Sequence, residues 1–104
     1  MHEHEIMIIA DYSQTSVFTL QELCEICGIS VDVVHELVEY DIIHPKYTTK
    51  HQVVFEMVDL QRAKTALRLQ RDLELNFAGV VLVLNLLDEL ETLRKQAAFL
   101  ERYL

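Results

Sequence analysis

Two cysteines, Cys24 and Cys27, are the residues whose type and spacing come closest to a chemical motif in this sequence. The Cys-x-x-Cys spacing occurs in zinc sites, but a structural zinc site needs four ligands, no second pair follows, and His35 is the nearest further candidate. A thioredoxin-like redox motif needs a strand leading into it, whereas these cysteines lie in a helical pattern. We therefore interpret both as buried or half-buried small residues and predict no metal site.

The other groups capable of catalysis are dispersed. The five histidines are spread along the chain, at His2, His4, His35, His44 and His51. A Gly-rich phosphate loop is excluded because the two glycines, Gly28 and Gly79, are far apart, and no hydrolase or zinc-protease motif occurs. The sequence therefore predicts a protein that is not an enzyme and uses no cofactor.

Charge is divided unevenly along the 104 residues, whose formal net charge is -8. Residues 1–45 contain nine acidic residues and no lysine or arginine, whereas residues 46–104 contain eight acidic and nine basic residues. An acidic N-terminal half repels phosphate and attracts a basic protein surface. This pattern argues against nucleic acid as a partner.

The stretch 18–45 has the pattern of a helix-turn-helix. Thr19 and Glu22 form a capping box ahead of the first helix, Gly28 is suited to end it, and Ser30 is suited to cap the second. In the second helix the inward positions are predicted to be Val31, Val34, Leu37 and Val38. The outward face then carries Asp32, His35, Glu36 and Glu39, where a DNA-reading helix has basic residues.

Flanking segments complete a winged helix. Residues 5–12 are rich in β-branched residues and predict a strand. Residues 46–51 are expected to be a polar turn and 52–55 a short strand, together forming a wing that would offer Lys46 and Lys50. A third helix begins near Glu56. Its inward residues are expected to be Met57, Leu60, Ala63 and Leu67, with Val58 as a further candidate. Lys64, Arg68 and Arg71 form a basic stripe along it, interpreted as a solvated face or as partners of the acidic half.

A last helix should run from a cap at Asn76 to the end of the chain. Apolar residues recur in it at alternating spacings of three and four, at Val83, Leu86, Leu90, Leu93, Ala97, Leu100 and Leu104. This is a heptad seam on a helix roughly 40 Å long, more than a small domain can cover. The seam predicts a homodimer through Leu86, Leu90, Leu93 and Leu100. The chain is thus expected to be one domain, 1–104, made of parts 5–55, 56–75 and 76–104.

Two families resemble these patterns. The residues FTLQELCEICGISVDVVHELVEYDIIHP look like the opening motif of the MerR-type winged-helix family, although the basic residues of its recognition helix are replaced by acids. Residues 67–104 are similar to the C-terminal segment of the CbpM chaperone modulator family, in which an acidic break precedes Gly-Val and a Leu-Leu-Asp-Glu-Leu run. The implied fold is mainly α: a MerR-like winged helix-turn-helix with a small β element and a long C-terminal helix for dimerisation.

Resemblance to CbpM implies a function. It implies binding to the J-domain of CbpA, a DnaJ-like co-chaperone, and inhibition of its stimulation of the DnaK-type chaperone. J-domains use a basic helix surface for this engagement, which an acidic partner could mask. The alternative is a diverged MerR-type DNA-binding transcriptional regulator, although the acidic charge makes DNA an unfavourable partner.

Two clusters are candidates for partner binding. One is the outward face of the second helix, Asp32, Glu36 and Glu39, with Asp41 after it, and a solvated helix face is its alternative reading. The other is the break between the long helices, Asp72, Glu74 and Asn76, beside which Leu73, Leu75 and Phe77 could supply apolar contact. The sequence slightly favours the break, and a simple helix cap is its alternative reading.

A cytoplasmic protein without a membrane segment is expected. The first residues, MHEHE, lack the positive charge of a signal peptide. The apolar run 80–87 is far shorter than the ~20 residues required to cross a bilayer.

Overall fold

The computed structural model describes the backbone of Met7–Ile9 and all of residues 17–104. These residues form a mainly α winged helix-turn-helix with a small sheet, as the sequence predicted. In chain order the elements are β1 (Met7–Ile9), β2 (Val17–Thr19), α1 (Leu20–Cys27), α2 (Val31–Glu39), β3 (Lys46–Thr48), β4 (Val53–Glu56), α3 (Met57–Leu73) and α4 (Phe77–Tyr103). The remainder of the strand predicted over 5–12 lies outside the described residues.

The helix-turn-helix is fixed by hydrogen bonds between residues three apart. The Glu22 N–H donates to the Thr19 hydroxyl at 3.1 Å, and the Thr19 N–H donates to the Glu22 carboxylate at 2.9 Å. Gly28 ends α1 at φ 66°, a left-handed conformation that glycine adopts without steric cost. The Ser30 hydroxyl accepts from the Val33 N–H at 3.3 Å and caps α2. The capping box and both further predicted caps are confirmed.

The four strands form one sheet in the order β1-β3-β4-β2. β3 and β4 form an antiparallel hairpin, β1 lies parallel to β3, and β2 pairs antiparallel with β4. The prediction of a polar turn over 46–51 was therefore wrong for its first three residues, which form β3. Lys46 and Thr48 point into the core in this strand. A buried lysine was not foreseen, because lysine is rarely buried unless it is paired.

The joint between α3 and α4 is tight. Glu74 follows α3 in a left-handed conformation at φ 52°. The Asn76 side chain then caps α4 by accepting from the Gly79 N–H at 2.9 Å, as predicted. Farther along, Arg62 of α3 donates to the Asp88 carboxylate of α4 at 3.2 Å, so an ion pair also links the two helices.

One cluster of buried residues joins α1, α2, β4, α3 and the first turns of α4, and ends at Leu84. Three residues predicted to face inward are exposed: Val31, Met57 and Val58. Each lies in the first turn of its helix, where no described element covers it. Ala66, which was not among the predicted inward residues, is fully buried.

Candidate protein-binding surface

The exposed face of α2 is acidic, and no described residue supplies a counter-charge to it. Asp32, Glu36 and Glu39 are all exposed and follow one another at spacings of four and three, so they form a single stripe. None of the three carboxylates has an ion pair or a hydrogen bond within the described part of the chain. The last turn of α2 contains no base. Glu36 and Glu39, in this last turn, therefore add to the negative end of the helix dipole.

A groove lies beside this stripe, between α2 and the β3–β4 hairpin. Its lining is mainly apolar and consists of Leu20, Val34, Val38, Pro45, Tyr47, Val53 and Phe55, with His35 and Glu39 on the α2 side. Glu39 thus belongs to both the acidic stripe and the groove. Sequence reasoning missed the groove because Tyr47 and Val53 reach α2 only through the register of the hairpin.

The two lysines predicted for the wing have different environments. Lys46 is only 6% exposed, and its Nζ lies 2.7 Å from Asp59 Oδ2 and 3.4 Å from Glu56 Oε1. Asp59 also accepts from the backbone N–H groups of His44 at 3.0 Å and Glu56 at 2.9 Å. Lys46 is therefore unavailable to a phosphate group, and Lys50 is the exposed base of the hairpin.

Two of the three polar side chains at the break between the long helices already have partners within the break or the adjacent helix ends. Asp72 pairs with the neighbouring Arg71 at 3.0 Å, and Asn76 caps α4. The Glu74 side chain has no partner among the described residues. Of the three apolar residues expected to contact a partner beside this break, Leu73 is the exposed one. Phe77 is buried against Tyr40, with ring centroids 5.9 Å apart, and Leu75 is half-buried.

The basic stripe of α3 faces a shallow cleft next to α1. Lys64, Arg68 and Arg71 line it together with Ile26 and Cys27. Lys64 and Arg68 form no ion pair with residues 17–104, so within that range the stripe does not neutralise the acidic half. The structure agrees with the reading of these two residues as a solvated face.

The distal part of α4 exposes its apolar seam. Leu86, Leu90, Leu93 and Leu100 are between 48% and 59% exposed. No residue after Leu84 is buried, and the helix continues to Tyr103. The core formed by the described residues therefore covers the beginning of this helix and leaves the rest exposed.

Both cysteines are free thiols and half-buried. Burial raises the pKa of the Cys27 thiol above its usual 9.0, and the charge of Lys64 opposes this effect only in part. The described residues contain no group of three or more His, Cys, Asp and Glu side chains able to hold a metal ion. Nor does any helix among them have the length and apolar character to cross a membrane.

Comparison with known proteins adds two findings. Residues 18–102 match the family described as MerR HTH family regulatory protein. The Chaperone modulatory protein CbpM of Coxiella burnetii (strain Dugway 5J108-111) is 33% identical over 90 residues, which cover 86% of this chain and 85% of that protein. Its namesakes in Pseudomonas entomophila (strain L48) and Pseudomonas putida (strain W619) are 35% and 34% identical over 85 residues, covering 82% of this chain and 84% of each relative. These relatives are named as modulatory proteins rather than as enzymes.

Proposed function

Because the chain belongs to the CbpM family of chaperone modulatory proteins, built on a MerR-type helix-turn-helix, we propose that it binds the J-domain of a CbpA-like co-chaperone. Binding would block the J-domain from stimulating its DnaK-type chaperone. The general role of chaperone modulator follows from the family. The J-domain as target and inhibition as outcome are the proposed refinement.

The observation that carries this proposal is the unpaired acidic stripe of α2. Three carboxylates with no partner among residues 17–104 occupy the helix that reads DNA in helix-turn-helix regulators. A basic protein surface would find complementary charge there, and rim charges of this kind accelerate association. Between the two candidate clusters, α2 is now favoured over the break, because Asp72 and Asn76 already have partners.

Binding to a purified CbpA-like J-domain tests the proposal. Lysine substitutions at Asp32, Glu36 and Glu39 together should slow association strongly at low salt, and the difference from the unaltered chain should shrink as salt is added. The same substitution at Asp72 and Glu74 is the matched control and should have a smaller effect. The unaltered chain should also suppress stimulation of the chaperone's ATPase by the J-domain.

Several results would contradict the proposal. Absence of binding by the unaltered chain would refute the J-domain as target. If both sets of lysine variants kept the affinity and salt slope of the unaltered chain, the electrostatic basis would be wrong and an apolar interface would have to replace it. A larger effect at Asp72 and Glu74 would move the site to the break.

A DNA-binding regulator is the second candidate, favoured by the match to a family of regulatory proteins. Affinity for DNA depends on lysine and arginine neutralising phosphates. The α2 helix has neither residue, and Lys46 of the wing is buried in an ion pair. A gel-shift at low salt, where electrostatic attraction is strongest, should therefore show no retardation of duplex DNA. Clear retardation would favour the regulator.

We also propose that the protein is a homodimer through α4. A helix with a long exposed leucine seam gains stability by burying it against a second helix, at about 25 cal/mol per Å² of apolar surface. Replacing Leu90 and Leu93 with Asp should give a monomer or an aggregate in light scattering. Replacing the exposed Glu89 and Glu91 with Gln is the control and should leave the dimer intact. An unaltered chain that is monomeric at tens of micromolar would refute this proposal.

A further inference from the structure

The groove beside α2 has an apolar interior that the described elements leave open. Val34 and Phe55 at its base are fully buried, whereas Val38, Tyr47 and Val53 are half-buried and line its sides. The residues that contribute most to a protein interface cluster in desolvated pockets near its centre, and a polar rim surrounds them. The groove therefore offers an anchoring point within the surface already assigned to the partner.

The volume of the groove limits its occupant. At about 240 Å³ it is smaller than the ~300–1,000 Å³ typical of small-molecule sites. It is too small for a helix and has room for one long side chain. An occupant projecting from a partner's surface fits better than a cofactor.

Charge defines the occupant further. Glu39 lines the groove and is the last residue of α2, so its carboxylate lies at the negative end of the helix dipole. Glu39 has no partner in the part of the chain that the structure describes, and Glu36 one turn earlier adds a second negative charge. A purely apolar side chain in the groove would remove water from Glu39 without replacing the lost hydrogen bonds. A cationic side chain with a long apolar stem can pack its stem against the apolar lining and pair its charge with the Glu39 carboxylate.

We propose that the groove binds one arginine side chain of the J-domain, with the guanidinium on Glu39 and the aliphatic stem along Val38 and Val53. This assignment depends on the J-domain being the target. Arginine is preferred to lysine because its planar guanidinium pairs with a carboxylate through two hydrogen bonds and stacks on aromatic rings, and Tyr47 lines the same groove. The remaining acids of α2 lie outside the groove and steer the encounter.

The test compares a groove carboxylate with a carboxylate of the same helix that does not line the groove. Glu39→Gln keeps the side chain's size and removes its charge, and it should weaken J-domain binding by about tenfold or more, mainly through faster dissociation. Asp32→Asn is the matched control. It should change affinity less than about threefold, through the association rate, and the change should vanish at high salt.

Two further measurements identify the occupant. Val38→Phe narrows the groove without altering charge and should also weaken binding about tenfold, with circular dichroism checking that the variant is folded. Each arginine of the J-domain is then replaced by lysine and by alanine and combined with Glu39→Gln in a double-mutant cycle. One arginine should show a coupling of about tenfold, and its lysine variant should recover only part of the affinity. The cycle remains decisive if Val38→Phe does not fold.

The outcomes separate this inference from the function on which it depends. Failure of the unaltered chain to bind the J-domain would refute the function and the occupant together. If the unaltered chain binds but Glu39→Gln behaves like Asp32→Asn, or no arginine couples to Glu39, the function stands and the groove assignment is wrong. Equal binding by the lysine variant at the coupled position would overturn the choice of arginine.

Discussion

Asp59 is expected to be among the most sensitive residues for the stability of this fold. Asp59→Ala removes the partner that lies 2.7 Å from the buried Lys46 Nζ and leaves that ammonium, among the described residues, with Glu56 at 3.4 Å. The substitution also deprives the His44 and Glu56 N–H groups of their acceptor. One substitution therefore disturbs the start of β3, the end of β4 and the first turn of α3.

The magnitude can be worked from these contacts. Breaking a buried pair and leaving one charge without compensation costs about 3–5 kcal/mol. The two N–H groups belong to an exposed and a half-buried residue, so water can replace part of their bonding, and they add about 1 kcal/mol together. We expect Asp59→Ala to lower the free energy of unfolding by about 4–6 kcal/mol, out of the roughly 5–15 kcal/mol available to a chain of this size.

Lys46→Met is the informative comparison. It removes the ammonium, but the Asp59 carboxylate keeps its two backbone donors, so the expected loss is nearer to about 2 kcal/mol. Urea unfolding followed by circular dichroism, at one fixed protein concentration, measures both variants. Lys50→Met, at the exposed lysine of the same hairpin, is the control and should lie within about 0.5 kcal/mol of the unaltered chain.

The reasoning would be refuted by either of two results. Asp59→Ala within about 1 kcal/mol of the unaltered chain would mean that the pair is not a buried structural link. A larger loss for Lys46→Met than for Asp59→Ala would mean that the two backbone donors do not stabilise the carboxylate.

Gly28→Ala should lower the free energy of unfolding by about 1 kcal/mol because a Cβ is strained at φ 66°, although open space surrounds it. Gly79→Ala, within α4, is the control, because a Cβ there would lie 3.3 Å from the flexible Leu75 Cδ2. Urea unfolding should show a loss of no more than about 0.5 kcal/mol for this variant. A loss equal to that of Gly28→Ala would contradict the conformational explanation. In a Cys24→Ala background, alkylation of Cys27 at pH 8 should be slower in the folded chain than in urea, because burial raises the thiol's pKa. Equal alkylation rates in the two states would contradict the raised pKa. Because the folded state holds the thiol proton more tightly than the unfolded state, the free energy of unfolding should fall as pH rises past 9, and Cys27→Ala should remove this contribution to the fall. Stoichiometric zinc lost on replacing both cysteines would contradict the prediction that they bind no metal.

The helix caps and the turn of the helix-turn-helix could be predicted from sequence. Thr19 with Glu22, Ser30 and Asn76 each cap a helix through a hydrogen bond to a residue three positions away, and Gly28 supplies the left-handed turn. These interactions depend only on neighbours along the chain, so residue type and spacing suffice to predict them.

The acidic face of α2 was also predictable, because helical periodicity separates inward from outward positions once a helix is recognised. Periodicity failed at Val31, Met57 and Val58, which are exposed. A repeat of 3.6 residues gives the direction of a side chain but does not say whether another element extends far enough to cover it. In the first turns of α2 and α3, none of the described elements does.

Tertiary structure alone determined the burial of Lys46 and the presence of the groove. A lysine in a polar stretch is expected to be a surface base, and its burial depends on Asp59, thirteen residues later, lying 2.7 Å away. The groove likewise depends on Tyr47 and Val53, which pair across the hairpin and meet α2 only when the sheet has formed. Both features arise from contacts between residues distant in the chain, and such contacts leave no periodic signal in the sequence because each is set by the register of one element against another.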